Sequence, residues 1–430
     1  MSFELTIYKD IIAQYPTWNE LRSYLESEEG GLFRIVDMDI LCNICIIRYE
    51  KGLSNMNLPH SSWFRSVVWN TVLHRPVSIS PPKVSHTPLP YITCDEAHHG
   101  GLICQELYDG VMINCFKMAG DTRLYISTRS SLYAAGRFYS SESFRTLFIQ
   151  AYLHLDNHVS IGREEESQVD ATLIGPQLEN NEYAVCYSFL LQHNQHRIVK
   201  KITDNTVFLV QKGIIYQDGS VKVEDSPEDR KQPCSYLPLL SLPLPVSKQT
   251  ITEWMQQLFQ QRPYDFQGIV LKDKMGNRWR YRSEKYTMVK SLRGNQPGTL
   301  ERYSQLYVQN IQHIYLAYYP EDSFDFSLHS TCISIIIDYL YDNYMELHVI
   351  KTIDKNEILN SCDKMYHPHL YALHGIYLSQ LRASGNKMTR EVIQYYFHKL
   401  PWQRIAFLLR RTQGAYLSFI QSVAEEHTGL

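Results

Sequence analysis

Two apolar periods divide the chain. From Leu32 to Arg282 the dominant repeat is two, the signature of half-buried strands, and beyond Leu300 it is three and four, the signature of helices. The runs FRIVDMDILCNICIIRY and WFRSVVWNTVLHRPVSI predict strand pairs, and SPPKVSHTPLP is a proline-rich connector that cannot be helical. Further strands are predicted at YAVCYSFLLQ, HRIVKKI and TVFLVQKGII. QGIVLKD and RWRYR form a last pair, joined by a Met275-Gly276-Asn277 turn. Residues 1–30 predict helix, with Thr17 and Asn19 as capping candidates and Gly30-Gly31 as the stop. SFRTLFIQAYLHL and TITEWMQQLFQQ predict helices among the strands, and Thr93 to Gly101 reads as a loop. The expected fold is α+β with antiparallel strands, residues 1–298, followed by an all-helical domain, residues 299–430.

One stretch stands out, Gln105 to Arg129, QELYDGVMINCFKMAGDTRLYISTR. It predicts a strand, a tight Asp109-Gly110 turn and two more strands, with Gly110 free to take a positive φ. Val111, Ile113 and Cys115 fall on one face, Met112, Asn114 and Phe116 on the other.

Composition changes this picture little. A net charge of −3 excludes a globally basic coat, so contact with nucleic acid has to come from a local patch. The 31 tyrosines suit either core packing or base stacking. No secretory pattern opens the sequence, no apolar run is long enough to span a bilayer, and nine cysteines without framework spacing fit reduced thiols. These features point to a cytoplasmic protein without a membrane partner. Cys42-x-x-Cys45 and the set Cys362, His367, His369 and His374 have zinc-ligand chemistry, but two buried strand thiols explain the first better, Pro368 splits the histidines of the second and His374 fits a helix's apolar face, so no metal ligand is assigned. The absence of a Gly-x-Gly-x-x-Gly or Gly-Lys-Ser/Thr loop disfavours Rossmann and P-loop enzymes.

The ordered set WFRSVVWNTVLHRPVSISPPK, QELYDGVMINCF, YISTRSS, YSFLLQHNQHRIV, FQGIVLK and RWRYRSEKYTMVKSLRGN resembles the RNA ligases of the phage tRNA-repair type. It is most similar to the RNA ligase-like proteins of large cytoplasmic DNA viruses, the African swine fever virus type among them. The resemblance implies a nucleotidyltransferase fold and ATP- and Mg²⁺-dependent joining of RNA ends, such as those of a tRNA. In that family a Lys-x-Asp-Gly lysine attacks the α-phosphate of ATP. Here Leu107 holds the lysine's place, and leucine has no lone pair to offer. Leu190 follows Phe189 where the family has Phe-Glu, Gln267 replaces the glutamate that supports the metal, and Arg280-Tyr281-Arg282 replaces Lys-x-Lys.

What the resemblance implies for the remaining residues is therefore divided. Asp109 and Gln267 occupy catalytic positions, and Lys117 is a candidate substitute nucleophile. Arg129, Lys272, Arg280 and Arg282 are candidates for phosphate or nucleotide binding, and Arg197, Lys290 and Arg293 for RNA. An active ligase, a pseudo-ligase that binds RNA or a protein partner, and a structural component packaged in virions all remain open readings.

Overall fold

The computed structural model describes residues 2–85, 89, 91–173, 178, 181–225, 236–351 and 362–428. The stretch 221–245 reads from the sequence as an acidic and then proline-rich loop; its residues 226–235 lie outside those described, and its first five, Val221–Asp225, form a strand instead. The chain divides into two compact units, Met1–Lys290 and Ser291–Leu430. The division falls inside the helix Glu284–Arg293, ahead of Gly298.

The first unit is α+β with antiparallel sheets. Its largest sheet has seven strands. Along it lie β1 (Ser2–Leu5), β11 (Val221–Asp225), β10 (Thr206–Tyr216), β9 (Glu182–Gln192), β7 (Val111–Met118) and β8 (Tyr125–Ser127). The short β12 (Leu237–Pro238) pairs in parallel with β10. A second sheet runs β2 (Arg34–Asp39), β3 (Ile44–Arg48), β4 (Val67–Asn70), β5 (Arg75–Ile79). The third has the order β14 (Arg278–Arg282), β13 (Gly268–Lys272), β6 (Ile103–Glu106).

Alternation along β7 places its two sets of side chains in different cores. Phe116 and Met118 join Trp69, Val77, Ile79 and Tyr8 between the large sheet and the four-stranded one. Ile113 and Cys115 pack with Leu147, Phe148 and Ile149 of helix Phe144–Tyr152 on the opposite face. Each such large apolar side chain stabilises the fold by about 1.5–3 kcal/mol relative to exposure. A third core, containing Cys104, Ile269 and Leu271, forms where the three-stranded sheet meets helix Ile251–Gln261.

Several local expectations are corrected. The Gln105–Arg129 stretch is not one hairpin: β6 pairs with β13 and β7 pairs with β8 and β9, so residues 107–110 cross between sheets. Gly110 does not take a positive φ. It is required by close approach instead, because a Cβ there would sit 2.5 Å from the Leu191 carbonyl oxygen. HRIVKKI is not a strand. Thr93 to Gly101 contains the helix Cys94–His99, closed at its N-terminus by a reciprocal Thr93–Glu96 capping box that period-counting overlooks. Thr17 makes the same box with Glu20. The strand β1 and the acidic helix Arg163–Leu173 were not foreseen.

The described residues of the second unit are helical, with principal helices Thr299–Gln309, Gln312–Tyr318, Ser323–Met345, His367–Ile376, Arg390–Lys399 and Trp402–Thr428. Tyrosine is core material here: Tyr303 meets Phe326 edge-on at 5.2 Å, and Tyr315 stacks on Phe326 at 4.9 Å. Among the described residues no helix is long and apolar enough to cross a membrane.

Candidate anion-binding site

Asp109 fixes the crossover between β6 and β7. Its side chain is 6% exposed, and one carboxylate oxygen, Oδ2, accepts the backbone N–H groups of Val199 at 2.8 Å and Lys200 at 3.2 Å. Oδ1 accepts the Tyr286 hydroxyl at 2.7 Å, and Gln192 Nε2 donates to the Asp109 carbonyl at 2.6 Å. The segment expected as a strand, HRIVKKI, is therefore a loop whose amides serve this carboxylate. With both oxygens engaged, Asp109 is a structural anchor of the first order.

The third sheet presents a cationic face. Antiparallel pairing sets Arg282 opposite Gly268, Arg280 opposite Val270 and Arg278 opposite Lys272, while Val270 and Lys272 face Gln105 and Ile103 on β6. Period two puts all three arginines on one side of β14 and sends Trp279 and Tyr281 to the apolar core on the other.

These arginines meet further cations around Tyr49. The Lys83 ammonium lies 4.6 Å and the Arg129 guanidinium 5.6 Å from the Tyr49 ring centroid, and Arg129 Nη1 donates to the Tyr49 hydroxyl at 3.3 Å. Arg65 is pushed down to about 10, by burial first and then by Arg278 and Arg129. Lys83 is lowered by burial, with Arg280 and Arg65 adding repulsion. Arg280, although exposed over much of its surface, is lowered by burial of its charge and then by Arg282. Lys290 is lowered by burial and by Arg282, partly offset by Asp109. Among the described residues, the neighbours acting on Arg65, Lys83 and Arg280 are cations and the Tyr49 phenol, with no carboxylate among them. Such crowding of like charge is unfavourable until an anion arrives. A cavity of about 380 Å³ borders the cluster, lined by Ser62, Trp63, Lys83, Ser85, Asn277 and Arg278 among others.

Four of the residues expected from the sequence, Arg129, Arg280, Arg282 and Lys290, belong to this cluster or its edge. Lys272 is 3% exposed and lies across from Arg278. Others are elsewhere. Lys117 is on the Ile113 and Cys115 side of β7, where its ammonium pairs with both carboxylate oxygens of Asp170 at 3.0 and 2.9 Å. It faces the acidic helix Arg163–Leu173. Arg197 Nε donates to the Val199 carbonyl. Arg293 belongs to the second unit and pairs with Asp322 at 2.7 Å. Phe189 is fully buried against Phe148 and Tyr152.

Arg48, Tyr49, Arg65, Lys83 and Arg278 were not singled out from the sequence. Arg278 could have been, since it shares the strand parity of Arg280 and Arg282. The others come from β3, from the turn before β4 and from the proline connector, and only the tertiary fold unites them.

The donor set does not suit Mg²⁺. Gln267 is 6% exposed and its Oε1 is a buried acceptor without a hydrogen-bond partner among the described residues, but it is a neutral amide. Asp109 has both carboxylate oxygens engaged by three donors, and a hard divalent cation needs carboxylate or other oxygen ligands in number. Among the described residues no group of three or more His, Cys, Asp and Glu side chains could hold a metal. His369, one of the zinc candidates, is committed to Tyr396 and Arg404. Cys45, of the Cys42-x-x-Cys45 pair, is buried, with its thiol pushed up to about 12 by burial. The chain matches no protein-family model, and a search of curated proteins finds no significant match.

Proposed function

We propose that this chain is an RNA ligase-like protein that binds the phosphates of an RNA end and does not form a lysine-linked nucleotide. The observation that carries the reading is the set of cations around Tyr49 and along β14, with no carboxylate among the described residues acting on Arg65, Lys83 or Arg280. Guanidinium groups bind phosphate oxygens through paired N–H donors, and Arg129 and Lys83 already lie against the same Tyr49 ring. The chemistry side of a ligase lacks support in the same residues. Leu107 cannot attack phosphorus, Lys117 is paired on another face, and Asp109 is consumed by structure.

A nucleotidyltransferase ancestry accounts for the order of segments, and loss of transfer chemistry accounts for Leu107, Leu190 and Gln267 together. Direct binding of RNA across a range of salt concentrations tests the reading, with Arg280→Ala/Arg282→Ala as the comparison. Intact mass after incubation with ATP and Mg²⁺ tests the absence of an AMP adduct.

A further inference from the structure

We propose that two neighbouring turns at one end of the four-stranded sheet dock the chain onto the surface of a lipid bilayer. The surface is separate from the cationic face and stands independently of RNA binding. Attachment of this kind asks for no spanning helix, and it departs from the sequence expectation of no membrane partner.

The turn between β2 and β3 presents Ile40 and Leu41, 78% and 95% exposed, and the turn between β4 and β5 presents Val72 and Leu73, each more than half exposed. Pairing of Ile44 with Asn70 sets the two turns side by side. The Thr71 N–H and hydroxyl then tie them, both donating to the Asn43 carbonyl, at 2.8 and 3.2 Å. Turns of this kind ordinarily carry small polar residues, so adjoining aliphatic side chains mark a contact surface.

The hydrogen bonding of the turns favours lipid as the occupant. The Cys42 N–H donates to Asp39 Oδ1 at 3.0 Å, and the Asn43 N–H to the Ile40 carbonyl at 3.3 Å. Asn70 Oδ1 accepts the N–H groups of Val72 at 3.0 Å and Leu73 at 2.8 Å, and the Leu73 carbonyl accepts Arg75 Nε at 3.0 Å. A tip that satisfies these groups itself can enter a medium that offers no hydrogen bonds. The side chains agree. Protein interfaces are anchored chiefly by Trp, Tyr and Arg, with Leu and Val under-represented, whereas these tips are aliphatic. A bilayer also takes up two projecting turns without a matching groove. Arg75 borders them, its guanidinium held by the Leu73 and Gln217 carbonyls and the Gln217 side-chain oxygen. Among the described residues no carboxylate pairs with it, which leaves its charge for anionic headgroups.

The test is flotation of the full chain with vesicles of phosphatidylcholine alone, and with vesicles of phosphatidylcholine and phosphatidylserine in equal parts. The chain is expected to float with the mixed vesicles, more strongly than with phosphatidylcholine alone. Leu41→Ser/Leu73→Ser changes exposed positions outside the cores. It is expected to melt like the wild type and to lower the vesicle partition at least about tenfold. In Leu41→Trp, addition of mixed vesicles is expected to shift the added indole emission to the blue. Absence of flotation with both compositions, or undiminished flotation of the folded double serine variant, overturns the proposal. Self-association without flotation, abolished by the same variant, overturns it too and gives the tips to a second copy of the chain.

Discussion

The Tyr286 hydroxyl donates to Asp109 Oδ1 at 2.7 Å, joining the crossover between two sheets to the helix Glu284–Arg293. The same carboxylate holds two amides of the loop after β9, so one acid orders three segments beside the cationic face. An Asp-Gly pair expected to serve a reaction is here a fixture of the fold.

Removing that fixture has a measurable cost. Asp109→Ala leaves two backbone N–H groups and a phenol without their acceptor and is expected to destabilise the first unit by about 2–4 kcal/mol. Tyr286→Phe removes a single charged hydrogen bond and is expected to cost about 1.5–3 kcal/mol. Denaturant titration of the two variants and the double variant measures both values. Strict additivity would show that the pair does not act as a unit.

Gly110→Ala is expected to destabilise by about 1–3 kcal/mol, because the new methyl meets the Leu191 carbonyl oxygen. The cause is contact and not backbone conformation, since Gly110 has no positive φ. Thermal melting checks it, and a neutral substitution would show that the crossover has more room than its geometry indicates.

The strand period was legible in β14, which separates three arginines from Trp279 and Tyr281, and in β7, whose successive side chains fill two apolar cores in turn. The Gln105–Arg129 hairpin was misread because local pattern cannot tell a turn within one sheet from a step between two. The Asp-Gly pair serves either. Arg280 and Arg282 were legible as a pair on one strand. Arg65, Lys83 and Tyr49 were not, since their meeting depends on contacts between elements far apart in the chain. Lys117 looked available because a sequence does not show that Asp170 lies against it.

Acid is expected to weaken the fold through two buried histidines. His193 and His369 are both pushed down to about 4, in each case by burial first, with His196 and Arg404 respectively adding repulsion. His369 Nε2 accepts from Arg404 Nε at 3.0 Å, which fixes the neutral ring. The unfolded chain takes up these protons near pH 6.5, before the folded chain does, so stability falls as pH drops from about 6.5 toward 4. Each histidine contributes up to about 3 kcal/mol to that loss. Denaturation curves at pH 7 and pH 5 measure it, and His369→Gln is expected to reduce the difference.

Lys117→Met is expected to leave RNA affinity unchanged and to lower stability by about 1–2 kcal/mol, the loss of a partly buried ion pair. After incubation with ATP and Mg²⁺, the wild-type chain is expected to show no mass increase for AMP. An adduct mapped to Lys117 would restore the relocated nucleophile.

The salt dependence of RNA binding tests the central claim most directly. Wild-type affinity is expected to fall linearly on a double-logarithmic plot against salt, and Arg280→Ala/Arg282→Ala is expected to flatten the slope by about 0.7 for each lost phosphate contact with a single strand. A double variant that folds normally and keeps both the affinity and the slope of the wild type would contradict the assignment of this face to phosphate.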